Sequence, residues 1–161
     1  MLMVLENKKD NVMNNDRDPK LVKILYVIPD GEEDAGAGEG LWAYSLGNQL
    51  YELQNIPVFA EHLNVEDIVR CEEPSDSIPI IRELVKPSGN RTLRVIFQPD
   101  TPDDICVDIM RELSQKDIIP EKSAHKHFMF NVPSTSDYLW VRDYLRKKDA
   151  EGLLWLYEQS E

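Results

Sequence analysis

The chain has 161 residues, of which 42% are hydrophobic, enough to bury a core and too many for a chain disordered throughout. Its formal net charge is -12, and residues 30 to 83 carry nearly all of it: thirteen acids (Asp30, Glu32, Glu33, Asp34, Glu39, Glu52, Glu61, Glu66, Asp67, Glu72, Glu73, Asp76 and Glu83) against Arg70 and Arg82. A field of that sign repels nucleic acid and anionic membrane and attracts basic proteins, and no apolar run approaches the roughly 20 residues of a membrane helix.

Residues 1–19 are polar after the first five and close with Asp18-Pro19, so they are expected to form a mobile N-terminal extension. They lack the basic segment, long apolar run and small-residue cleavage site of a secretory leader, which points to the cytoplasm. Lys20 to Ile28 reads as a first strand, stopped by Pro29-Asp30-Gly31. An acidic, glycine-rich loop follows to Gly40. Leu41 to Leu46 alternates, with Trp42, Tyr44 and Leu46 on one face, and Gly47-Asn48 predicts a hairpin returning through Gln49 to Leu53. Val58-Phe59-Ala60, Val65 to Cys71 and Pro79 to Val85 complete a series of short strands spaced as in a small barrel.

Pro87-Ser88-Gly89-Asn90 marks a joint, after which the period changes. Thr92 to Phe97 is a predicted strand. Thr101-Pro102-Asp103-Asp104 then opens a helix with a hydroxyl cap, an early proline and two acids at the positive end of the dipole. Its apolar stripe is Ile105, Cys106, Ile109, Met110 and Leu113. His125 to Val132 is a strand. Ser134 or Ser136 caps a second helix with Arg146, Lys147 and Lys148 in its last turn and Gly152 at its stop. Leu153 to Tyr157 closes the chain. The expected fold is therefore α+β: a β-rich, barrel-like and acidic subdomain over residues 20–86, then a ferredoxin-like β-α-β-α-β subdomain over residues 87–161.

Three blocks carry a family resemblance: Lys23 to Asp30, Leu41 to Ala60, and Val132-Pro133 to Tyr157. The middle one, E-x-L-W-A-x-x-L-G-x-x-L-Y-x-L-x-N-I-P from Glu39 to Pro57, is the specific part. Together they resemble a bacterial family catalogued as a domain of unknown function, DUF4265, over roughly residues 20 to 158. The loop at Asp34 to Gly40 and residues before 20 look like departures from a more compact pattern. The family has no established activity, so the resemblance implies an architecture and assigns no catalytic residue.

The side chains with chemical potential each have a plainer explanation beside them. His125 and His127, two apart on a predicted strand, share a face and could bind a metal given a third ligand such as His62 or a carboxylate; no third ligand stands at diagnostic spacing, so no metal or other cofactor is expected. Cys106 belongs to a helix stripe, and Cys71 precedes two acids that suppress its thiolate. Gly36-Ala37-Gly38-Glu39-Gly40 resembles a phosphate loop only in its glycines, because acids flank it and a strand follows. Asp100, Asp103 and Asp104 fit helix capping as well as a cation cluster. Trp42, Tyr44 and Tyr51, framed by Glu39, Glu52 and Glu61, have the composition of a binding surface, with Glu66 a further candidate, or else one face of their hairpin packs into the barrel. The expectation is a non-catalytic, immunity- or inhibitor-like module that meets a basic protein partner and neither nucleic acid nor membrane. The alternative is a small-molecule or metal sensor, or an enzyme, with its site between the subdomains near His125 and His127.

Overall fold

The computed structural model describes residues 20–159, so the expected extension over residues 1–19 lies outside the described residues. The chain is α+β, with two sheets and two helices. Strand β1 (Leu21–Val27) pairs antiparallel with β2 (Gly38–Gly47), from Leu21 opposite Tyr44 to Val27 opposite Gly38. Strands β3 (Leu50–Leu53), β4 (Ile68–Glu72) and β5 (Ile80–Lys86) continue antiparallel. A parallel pairing of Leu25 with Ile80 returns β5 to β1, so the strand order runs in a closed ring. Period-2 alternation fills that ring: Ile24, Tyr26, Leu41, Ala43, Tyr51, Leu53, Val69 and Cys71 point inward and are buried. Each fully buried aliphatic among them contributes about 1.5–3 kcal/mol.

Several local expectations for this half change: Gly38 to Gly40 belong to β2 and not to the loop, and Val65 to Asp67 precede β4. The hairpin turns on Asn48 (φ 53°) and Gln49 (φ 63°), one residue later than Gly47-Asn48, because both central positions take the left-handed conformation that matches the strand twist. Val58-Phe59-Ala60 is not a strand. Its three N–H groups bond to one carboxylate, that of Glu39, and so have nothing left to give a ladder.

The second half runs β6 (Arg91–Phe97), α1 (Asp103–Ser114), β7 (Pro120–Ala124), β8 (His127–Val132), α2 (Tyr138–Ala150) and β9 (Leu154–Glu158). Its sheet is antiparallel throughout, in the order β7-β8-β6-β9. The order of elements is thus β-α-β-β-α-β, one strand more than expected, because Pro-Glu-Lys-Ser-Ala has no apolar alternation to announce β7 at the sheet edge. Both helices cover one face of this sheet, burying Leu93, Val95, Phe97, Ile109, Leu113, Phe130, Val141, Leu145 and Leu154. The predicted caps are also corrected. Thr101 is buried and donates its hydroxyl to Leu153 O at 2.6 Å, leaving Pro102 at the start of α1. Asp137, not Ser134 or Ser136, caps α2 by accepting from Trp140 N at 3.1 Å.

The segment between β3 and β4 ties the halves together. Asp67, 1% exposed, accepts N–H groups from Asn64 (2.8 Å) and from Ser88 in the joint (2.7 Å). Thr92 on β6 donates to Asn64 Oδ1, and the Asn90 amide donates to Val65 O. Arg94 on β6 donates to Pro57 O at 2.8 Å, and Glu121 on β7 accepts from Ile56 N at 3.3 Å. Residues 56–67 therefore lie against the uncovered face of the second sheet.

Candidate functional site

The geometry starts from Glu39. It follows Gly38 at the start of β2 on the inward register of Leu41 and Ala43 and is only 5% exposed. A buried carboxylate must be hydrogen-bonded, and this one accepts from Val58 N (2.5 Å), Phe59 N (2.9 Å) and Ala60 N (3.3 Å). The charge thereby shapes the loop that walls the main cavity. The glycine-rich stretch around it serves as a turn entering β2, with Gly36 at φ 83°.

That cavity has a volume of about 430 Å³ and is lined by Tyr26 on β1, Ile28 just after it, Glu32 and Glu33 from the acidic loop, Val58, Phe59, Glu61 and His62, and Gln159. The Tyr26 and His62 rings meet at a centroid distance of 5.8 Å, tilted by 58°. Phe59 beside them is 55% exposed, an apolar ring held in water by the backbone bond to Glu39. Glu32, Glu33 and Glu61 surround these rings, and none of the three forms an ion pair among the described residues. Burial first, then Glu32 and Glu39, push the Tyr26 hydroxyl above its ordinary value. Gln159 donates to Glu61 O at 2.7 Å, fixing the rim of the cavity. The arrangement is suited to a cation, which carboxylates attract and aromatic faces stabilise.

Several other acids of this half are already engaged. Glu72 pairs with Arg82 and Glu83 with Arg70, while Glu73 accepts from the Tyr51 hydroxyl. The named surface candidates fall into separate places. Trp42 (39% exposed) and the half-exposed Tyr44 lie on the outer face of β2, where Tyr44 pairs with Glu52 across β3 and Trp42 pairs with Lys23 across β1. This face does not pack into the ring interior, which Leu41 and Ala43 fill. Glu52 holds Gln54 at 2.9 Å, and Glu66 accepts from Asn90 at the joint. Tyr51 and Glu39, also expected at this surface, are buried instead, and of the candidates only Glu61 lines the cavity.

A second, smaller cavity of about 240 Å³ lies between the halves, on the far side of Val58 and Glu61. Arg94, Ile96, Ser123, His127, Met129 and Tyr157 line it from the uncovered face of the second sheet. Burial pushes the Arg94 guanidinium below its ordinary value, and Glu61 and Glu39 oppose that. The histidine pair is separated: His127 begins β8 and reaches this cavity, whereas His125 sits exposed in the β7–β8 turn and His62 belongs to the other cavity. Among the described residues no group of three or more His, Cys, Asp or Glu side chains is placed to hold a metal ion. Cys71 is buried and its thiol is pushed up to about 12, by burial and then by Glu73. Cys106 is half-buried on α1 and also shifted up by burial.

The sequence pattern does not single out Tyr26, Glu32, Glu33, Phe59 or Arg94 as site residues. One signal was available: Glu39 is a charge at a core-facing position of an alternating strand, which requires buried partners. Arg94 similarly alternates with Leu93, Val95 and Phe97, placing it opposite the helix-covered face.

The profile of a family described as "Domain of unknown function (DUF4265)" matches residues 39–156. The matched region runs from β2 to β9, so the Lys23 to Asp30 block lies outside it. No curated protein matches the chain. Among solved structures, it is similar to the "Novel crystal structure of a hypothetical protein from Neisseria gonorrhoeae", with a TM-score of 0.72 and 22% identity over 89% of this chain and 96% of that one. At that identity the likeness bears on the fold alone. Among the described residues no helix is long and apolar enough to cross a membrane.

Proposed function

We propose, from the premise that this chain belongs to the DUF4265 family of domains of unknown function, that it is a non-catalytic cytoplasmic binding module for a basic protein. In architecture we read the five-strand ring as a small barrel and the β-α-β-β-α-β half as a ferredoxin-like sandwich. The observation that carries the functional reading is the cavity beside His62: three carboxylates without ionic partners surround exposed aromatic rings. A lysine or arginine side chain of the partner enters this cavity and stacks on Phe59 and His62 while Glu32, Glu33 and Glu61 neutralise it. The remaining negative field of the first half steers the encounter, as in inhibitor or immunity proteins that meet basic enzymes. Trp42 and Tyr44 on the outer face of β2, with Glu52, are a secondary contact surface, and Glu66 adds to the field.

Isothermal titration of the full chain with a lysine-rich peptide, at low and at high salt, tests this. Binding is expected to weaken steeply with salt, and Glu33→Lys or Glu61→Lys to weaken it by about tenfold or more at low salt. Binding that is unchanged by both substitutions would overturn the assignment of the cavity.

A further inference from the structure

The junction cavity is chemically the opposite of the first one. Its floor is a cross-strand row on the uncovered face of the second sheet: Met129 on β8 opposes Arg94 on β6, and Arg94 opposes Tyr157 on β9. Its roof is Val58 and Glu61. Arg94 is the one permanently cationic side chain in the lining. It uses Nη2 on Pro57 O, makes no ion pair among the described residues, and leaves its buried Nε without an acceptor. A half-buried guanidinium with one withdrawn donor unpaired is costly, since charged donors taken from water need acceptors.

We propose that this cavity binds a small apolar monocarboxylate, its anionic end on Arg94 and its tail against Ile96, Met129 and Val58. The charge balance selects a monoanion. Glu61 already faces the guanidinium, so a dianionic phosphate would meet one cation and one carboxylate, and the apolar remainder of the lining would be left unused. The Ser123 hydroxyl, the Tyr157 phenol and the His127 ring supply polar contacts at the edges. A volume of about 240 Å³ lies below the roughly 300–1,000 Å³ of drug-sized sites, which restricts the tail to a short branched or single-ring group. The proposal does not depend on the cationic cavity, and Glu61 separates the two because it lines both.

The test is amide NMR of the full chain titrated with 4-methylpentanoate and benzoate, against 4-methylpentanamide and benzamide as uncharged isosteres. Saturable shifts at Ser123, His127 and Tyr157 are expected with the acids and not with the amides. Arg94→Met should reduce affinity by tenfold or more. If that variant fails to fold, Ser123→Asp places a carboxylate across from an intact Arg94 and should have the same effect. Glu61→Gln should strengthen carboxylate binding here while weakening peptide binding in the other cavity, so failure of one site leaves the other tested. Equal binding of acids and amides, no saturable shift with either acid at millimolar concentration, or full affinity in a folded Arg94→Met or Ser123→Asp protein would overturn the proposal.

Discussion

Glu39 is the residue on which the cationic cavity depends, because it converts three loop N–H groups into a fixed wall. Replacing it by leucine removes all three acceptors at a buried position. Glu39→Leu should therefore lower unfolding free energy by roughly 3 kcal/mol or more in urea titration, whereas Glu33→Gln on the exposed rim should change it by less than about 0.5 kcal/mol. Glu121 offers a pH-dependent counterpart. Burial pushes its carboxyl above the ordinary value, only partly opposed by the N–H of Ile56, so its neutral form is favoured in the fold. An acid with a raised folded value takes up protons on folding, and its contribution to stability is lost as pH rises past the unfolded value. Glu121→Gln should accordingly raise the melting temperature at pH 7 and change it little near pH 4. Cys71, buried with its thiol raised to about 12, should resist iodoacetamide at pH 8 in the folded chain and react only on unfolding. Mass spectrometry of the alkylated peptides decides this, and rapid native labelling of Cys71 would contradict the buried geometry.

The elements show where sequence reasoning succeeds and where it stops. β1, β2 and β6 were legible because alternation writes the buried face directly into the sequence, and α1 because Ile105, Ile109 and Leu113 keep the helical period. β7 was not, since an edge strand held by backbone pairing to β8 needs no apolar face of its own. Val58-Phe59-Ala60 failed in the opposite sense: an apolar run resembles a strand, but its donors were captured by a carboxylate nineteen to twenty-one residues earlier in the chain. Helix caps were misplaced because several hydroxyls and acids stood near each start and only geometry chooses among them. Asp137→Ala should thus cost about 1 kcal/mol in denaturant unfolding, whereas Ser134→Ala and Ser136→Ala should each cost much less. A larger loss at Ser134 or Ser136 would return the cap to those residues.

For the whole molecule, the charge asymmetry becomes a matter of which acids are free. Glu39, Asp67, Glu72, Glu73 and Glu83 are engaged within the fold, whereas Glu32, Glu33 and Glu61 line the cationic cavity without an ion pair among the described residues. That cavity joins side chains from β1 and the acidic loop, from the segment between β3 and β4, and Gln159 after β9, a juxtaposition that no local pattern encodes. The acidic character of residues 30–83 was legible in composition, while its focus required the fold. The most direct measurement is amide NMR mapping of a lysine-containing peptide on the full chain. The expected result is a perturbed set centred on Ile28, Glu33, Phe59 and His62 that disappears in Glu61→Lys. Perturbations confined to the outer face at Trp42 and Tyr44, or spread over the acidic half without saturation, would contradict a cavity that receives a cationic side chain.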